Sequence, residues 1–420
     1  MKKNAILIFV SCTYFALLVG CGGGGGGSNG NAAQTGSKSG ILTDAAVAGV
    51  AYTTSSGVTG VTDANGAYKF NPGDTVQFKL GGLVLGSATA TGIVSPIELA
   101  NGDNNRLQNL LVMLQSLDAN GIPADGISIP PAAAAAVTTA IDLTAAPATF
   151  ASAANTALQA AMTAGGIMTP IVSTIDANAH FLAQGTALFA SNIWTQPLTS
   201  DGTTAMLRFN AGGEYLIGET GPPDAAGQPG VEHGTASVNS FDVFGYATTA
   251  VTTVDTSGEW GLSHPQLCDR SRPVGDQIVF TESVPPNSPV CTTTIAEATV
   301  SKAENNPTGI VGVWANGSAT VIKTQHIVFF SDGHFLLVDP LGDTTVGPGH
   351  PCGGPGVEAG SYTYDSAANV LTTNNLTVDT NGCAGLSDNF AAAALSFTIS
   401  ADGSTAAVDD GSVTLYRVSK

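Results

Sequence analysis

Charge is what this chain has least of. Its 420 residues include 13 Lys plus Arg and 32 Asp plus Glu, 11% charged in all, less than half of the roughly 25% usual in soluble domains. The formal net charge is −19. So few cations exclude nucleic acid, whose binding rests on Lys and Arg neutralising phosphates. They also exclude polybasic attachment to anionic lipid. Several catalytic signatures are missing too. There is no His-Glu-x-x-His and no Cys-x-x-Cys, and no Gly-Lys pair from which a phosphate loop is made. What is present is 43% hydrophobic residues, so disorder is not the reading, together with 52 Gly and 21 Pro. At roughly 100–200 residues per domain, the length predicts two to four domains.

The N-terminus reads as an address. Lys2 and Lys3 precede an uncharged run from Ala5 to Val19, too short for a span of about 20 residues but suited to a signal peptide. The run ends in Leu18-Val19-Gly20-Cys21. This resembles the lipobox of bacterial lipoproteins. The resemblance implies cleavage before Cys21, a lipid on its sulfur and attachment to a membrane through that lipid. A Gly-rich tether follows from Gly22 to about Gly40. Gly22 is not the Asp that resembles an inner-membrane retention signal, so the expected place is the outer membrane, facing the periplasm or the cell surface. Removing residues 1–20 takes two of the 13 basic residues and leaves a charge of −21.

Of six Cys, Cys12 leaves with the signal and Cys21 takes the lipid. Cys268, Cys291, Cys352 and Cys383 remain, an even number that reads as disulfides in an exported chain. Of three pairings, Cys268–Cys291 with Cys352–Cys383 keeps each bridge inside one repeat unit (below).

Residues 41–95 alternate β-like runs with turns. Examples are Val47 to Tyr52, Thr59 to Thr62, Asp63-Ala-Asn-Gly66, Ala67 to Phe70 and Thr75 to Leu80. Asn-Gly between such runs predicts a hairpin. This string resembles the prealbumin-like, carboxypeptidase-regulatory-type β-sandwich, generally a spacer or binding scaffold. Residues 96–190 are helix-like. Leu107, Leu110, Leu111, Leu114 and Leu117 share one helix face, capped by Asp103 or Asn104, and the stretches 150–164 and 176–191 are Ala-rich. Asp118-Ala-Asn-Gly121 starts like a calcium loop but lacks the later ligands, with Ile122 and Ile129 where oxygens are wanted, and reads as a helix-ending turn.

Residues 191–302 and 303–420 repeat one another. Trp194 matches Trp314, and Phe209 to Glu219 matches Phe330 to Asp339. Pro-Gly-Val-Glu-x-Gly recurs at 229–234 and 355–360, Thr-Val-Asp-Thr at 253–256 and 377–380, Gly-Leu-Ser at 261–263 and 385–387, and Val-Ser-Lys at 300–302 and 418–420. The reading is a duplicated β module of about six strands. A Trp plugs each unit, and Tyr215/Ile217 and Phe335/Leu337 face inward. The pattern resembles lipocalin-like meanders and implies a small apolar ligand if hollow. It leaves open one barrel or two packed sheets.

The fold class is therefore multidomain and mainly β, in six segments: signal 1–20, lipidated Cys and tether 21–40, β-sandwich 41–95, helical layer 96–190, and β repeats 191–302 and 303–420. Candidate binding residues are Glu232 and Glu358, matched between repeats, and Trp260 with His264 in a loop beside Cys268. His233 next to Glu232 suggests an acid/base pair, but its counterpart is Ala359, and neighbours on a strand face opposite ways. No catalytic residue, metal ligand or cofactor is assigned. The expected role is binding or adhesion, to a protein or glycan, without catalysis. The alternatives are a carrier of a small apolar ligand and an extracytoplasmic hydrolase using Glu232 or Glu358.

Overall fold

The computed structural model describes residues 35–152, 155–225, 227–264, 268–283, 294–342, 353–382, 385–386 and 393–418. Cys21, Cys291, Cys352 and Cys383 lie outside them, as do the signal and most of the tether. The fold is mainly β, with a helical middle.

The chain opens with β1 (Lys38–Leu42), β2 (Val47–Ala48), β3 (Ala51–Thr54), β4 (Thr59–Val61), β5 (Ala67–Phe70), β6 (Thr75–Leu80), β7 (Leu83–Thr89) and β8 (Ile93–Val94). They form a three-stranded sheet, β5-β1-β8, and a four-stranded sheet, β4-β3-β6-β7. β1 begins ahead of Ile41, inside the stretch read as tether. Alternation along each strand supplies the core between the sheets. Tyr68 of one meets Phe78 of the other edge-on, with ring centroids 5.3 Å apart, a geometry that aromatic quadrupoles favour.

Two local expectations change. The run Val47 to Tyr52 is not one strand, because Gly49 has φ +89 and breaks it. The Asp63–Gly66 turn is not a hairpin, because β4 and β5 belong to different sheets. The Asp63 carboxylate accepts from Asn65 N and Ala67 N, both at 2.9 Å, and this Asx-type turn carries the chain across the sandwich.

The helical layer comprises α1 (Pro96–Leu99), α2 (Asn104–Ser116), the short β9 (Ile127–Ser128), α3 (Pro131–Ala136), α4 (Pro147–Phe150), α5 (Thr156–Ala164) and α6 (Thr174–Ala190). Asp103 caps α2, accepting from Asn105 N at 2.8 Å and Arg106 N at 3.2 Å. The five leucines are buried as the periodicity predicts, but so are Asn109, Val112, Met113 and Gln115. α2 is thus covered on a second side. There Asn109 donates to Leu143 O and Ala145 O, both at 2.8 Å, and Gln115 donates to Ala177 O of α6 at 3.1 Å. Asp118 is a helix-ending turn. Its oxygens accept from Ile122 N and Ser128 N, each at 2.9 Å.

Two closed antiparallel barrels follow. The first is β10 (Ile193–Gln196), β11 (Thr204–Phe209), β12 (Glu214–Thr220), β13 (Gly230–Asp242), β14 (Gly245–Asp255), β15 (Arg270–Val274), β16 (Gln277–Ser283) and β17 (Thr294–Lys302). The second is β18 (Gly312–Asn316), β19 (His326–Phe329), β20 (His334–Asp339), β21 (Gly356–Asp365), β22 (Val370–Asp379), β23 (Ala394–Ile399), β24 (Thr405–Val408) and β25 (Val413–Val418). Each is an up-and-down meander of eight strands closed on itself, two more than the motif spacing predicts. Register is shared where it can be compared. Ile217 pairs Glu232, which pairs Asp255; Leu337 pairs Glu358, which pairs Asp379; a bulge follows in both at the glycine after the Glu motif.

The register also corrects two sequence matches. Leu207 pairs Trp194 and Ile327 pairs Trp314, so Phe209 corresponds to Phe329, one residue from the matched Phe330. Lys302 pairs Trp194 but Arg417 pairs Trp314, so Val-Ser-Lys at 300–302 and 418–420 are not equivalent. A slip of odd length would turn every side chain to the other face of the wall.

The barrels touch through the same outer walls. Met206, Leu216 and Val231 of the first pack with Val328, Leu336, Val338 and Val357 of the second. Gly218 makes the hole for Val338: a Cβ there would lie 2.2 Å from the valine. Arg208 crosses the interface. It donates to Val321 O at 3.2 Å, Ala319 O at 2.5 Å and His326 Nε2 at 2.6 Å.

Candidate functional site

The matched motifs meet at one end of each barrel. Alternation from Trp194 and Trp314, both inward and buried, places Glu232 and Glu358 inward as well, each fully buried. In barrel 1 the Glu232 carboxylate accepts from the Tyr215 hydroxyl and, at 2.8 Å, from Leu262 N. In barrel 2 the Glu358 carboxylate accepts from Leu386 N at 2.7 Å. Leu262 and Leu386 are the central residues of the two Gly-Leu-Ser motifs. The preceding glycines are required by contact: a Cβ on Gly261 would sit 1.7 Å from Glu232 Oε2, and one on Gly385 1.8 Å from Glu358 Oε2. The repeated Glu and the repeated Gly-Leu are thus one device, a carboxylate inside the barrel that pins the loop after its fifth strand.

Thr-Val-Asp-Thr belongs to the same cluster. Thr256 Oγ1 accepts from Val231 N at 2.9 Å, and Thr380 Oγ1 from Val357 N at 2.8 Å. Asp255 accepts from Ser257 N at 3.0 Å and Asp379 from Gly382 N at 2.9 Å, each starting the turn into the pinned loop.

Burial pushes the Glu232 carboxyl up from its ordinary value, opposed by the bonds from Tyr215 and Leu262. The Tyr215 phenol is raised in turn, first by burial and then by Glu232. Both Glu232 oxygens are engaged by donors of the chain itself. This geometry anchors a loop. His233 stands on the opposite face of β13, 3.0 Å from Glu214 Oε1 and 2.8 Å from Thr253 Oγ1. The two side chains therefore do not converge.

Trp260 and His264 sit in the pinned loop of barrel 1. The Trp260 ring is half-buried against Gly227, where a Cβ would fall 2.1 Å from it. His264 is exposed, its Nδ1 2.9 Å from Ser263 Oγ. Cys268 just beyond is buried and disulfide-bonded.

Side chains occupy the barrel interiors. In barrel 2, Phe397 meets Trp314 and Phe329 edge-on at 5.6 and 5.7 Å. Barrel 1 shares a continuous core with the helical layer. Phe181 of α6 lies 4.9 Å from Phe241, Phe189 lies 5.9 Å from Phe209, and Gly185 lets the Tyr246 ring approach the helix. The gap left between α6 and barrel 1 is about 20 Å³, room for about one water. A larger open groove of about 550 Å³ runs between the sandwich and barrel 1, lined by Thr91, Gly92, Asp276, Gln277, Ser301 and Lys302 among others. Lys302 and Asp276 pair across 2.8 Å within it.

Sequence reasoning missed Tyr215 as a partner of Glu232, Arg208 and His326 at the interface, and the docking of α6. None of these had a usable signal: the recurrence of Glu and Gly-Leu in both repeats marks the bond from Leu N to the carboxylate, whereas Tyr215 has Phe335 as its counterpart. Among the described residues no helix is long and apolar enough to cross a membrane, and no group of three His, Cys, Asp or Glu could hold a metal ion. No family model matches the chain, and no curated protein matches it in sequence.

Proposed function

We propose that this chain is a lipid-anchored, outer-membrane binding protein without catalysis of its own. The lipobox-like Leu18 to Cys21 and the Gly tether support the anchor, with the sandwich as spacer. One observation carries the non-enzymatic, surface-binding reading: the repeated carboxylates, the most site-like residues of the sequence, are spent on pinning loops over barrels that are filled. Recognition of a protein or glycan then falls to exposed features outside the barrels, such as the Trp260–His264 loop and the groove beside Lys302.

Two measurements test this. In fractionated cells the chain is expected in the membrane fraction, and Cys21→Ser is expected to release it. Tight membrane association of that variant would refute the anchor. Native mass spectrometry is expected to show the purified chain free of small apolar molecules. A stoichiometric apolar ligand would refute filled barrels and favour the lipocalin-like carrier.

A further inference from the structure

The outer wall of barrel 1 carries three polar side chains in line. The buried His233 ring stands between Glu214 of β12 and Thr253 of β14. Its Nε2 lies 3.0 Å from Glu214 Oε1, and its Nδ1 lies 2.8 Å from Thr253 Oγ1. A carboxylate only accepts, so Nε2 carries the proton and Nδ1 of the neutral ring is bare. The Thr253 hydroxyl then donates to Nδ1. Glu214 is itself held, because Asn210 Nδ2 donates to its other oxygen at 3.0 Å. A hydroxyl on an imidazole that a carboxylate orients is the arrangement of an activated nucleophile.

One irregularity of the wall brings them together. The register of β13 with β14 slips after His233, so Thr253 has no partner in β13 and is the extra residue of a bulge. Bulges re-aim side chains, and this one turns Thr253 to the outer face with His233. Glu214 is a diagonal neighbour on that face, since Leu216 pairs His233 and Glu214 pairs Thr235. Thr253 is exposed, with the ring behind it. Barrel 2 makes the matching turn of the wall without the other two groups. Thr377 stands in the place of Thr253 and donates to Ala359 O at 3.3 Å, as Thr253 lies 3.2 Å from His233 O. Ala359 replaces the histidine, and His334 replaces the glutamate. The imidazole and its carboxylate are therefore additions of barrel 1 that the wall does not need.

We propose that Thr253 is a covalent acceptor of acyl groups, by which the chain captures an ester-bearing partner. Thr253 Oγ1 bonds to the carbonyl carbon of the ester while its proton passes to His233 Nδ1. The bond from that carbon to the leaving alcohol oxygen breaks, and the alcohol takes the proton from Nδ1. His233 ends neutral and Thr253 ends as an ester. Each chain takes one acyl group, so the step is capture and not turnover.

The test uses the purified full chain and p-nitrophenyl acetate as the probe. Peptide mapping by mass spectrometry is expected to find an acetyl group on Thr253 and none on Thr377, the same wall position without the histidine. Acetylation of Thr253 should stop at one group per chain. His233→Ala installs the residue that barrel 2 already carries there, and it should slow labelling of Thr253 at least about a hundredfold, the usual contribution of a general base. Glu214→Gln keeps the shape of the side chain and should slow it as well, with tryptophan fluorescence showing both variants folded. An unlabelled Thr253, equal labelling of Thr253 and Thr377, or a rate at Thr253 untouched by either folded variant would each overturn the proposal. Steady release of p-nitrophenol that Thr253→Val abolishes would overturn capture, since the same three residues would then be turning the ester over.

Discussion

Replacing His326 by Met, the residue at the same wall position of barrel 1 (Met206), removes one titrating group from the interface between the barrels. His326 is fully buried. Thr324 O lies 2.7 Å from its Nδ1 and Arg208 Nη1 lies 2.6 Å from its Nε2. The guanidinium can only donate, so Nε2 is the bare nitrogen and Nδ1 carries the proton. Burial, and then the Arg208 charge, push His326 down to about 3, against about 6.5 in an unfolded chain. Between those values the unfolded chain binds more protons. Stability is therefore intact above about pH 6.5 and falls as the pH drops towards 3. At about pH 4.5 the loss is about 3 kcal/mol. The variant escapes it, but leaves one Arg208 donor without its acceptor, a cost of about 1–3 kcal/mol at any pH. Urea unfolding read by tryptophan fluorescence should show the unsubstituted chain ahead at pH 7.5. The gap should close near about pH 5. Asp74 and Asp402, both held down to about 2 by hydrogen bonds, act equally in both chains and cancel in the difference. A gap that does not change with pH would refute the neutral, Arg-facing histidine.

Gly261→Ala and Gly385→Ala should each destabilise the protein by about 1–3 kcal/mol, because the new methyl displaces the latch carboxylate. Hydrogen exchange at Leu262 or Leu386 should rise with it, and unchanged protection would mean that the latch is not what holds the loop. Non-reducing peptide mapping should find Cys268–Cys291 and Cys352–Cys383, and crossed pairs would refute the repeat-based assignment. Gly218→Val should cost about 1–3 kcal/mol by overpacking against Val338. An added cost from Val338→Ala in the same chain, in place of relief, would show that the two positions do not share one hole.

The sequence by itself determined what depends on local chemistry and periodicity. The spacing of Leu107 to Leu117 gave the α2 core face, Asp103 its cap, and alternation at Tyr215/Ile217 and Phe335/Leu337 the inward wall. The ordered motif matches located the two β units. Matching also overreached: Val-Ser-Lys recurs in sequence but its two copies stand at different registers, because a three-residue likeness carries no pairing information. The tertiary structure alone decided closure and strand number, since the meeting of a first and an eighth strand is a contact about a hundred residues apart. It alone turned the Asp63–Gly66 turn into a crossing between sheets, because the same Asx geometry serves both connections. It alone made one latch of Glu232, Tyr215 and Leu262. A carboxylate's role is set by which donors the fold brings to it, and those donors are a wall tyrosine and a backbone N–H that composition cannot single out.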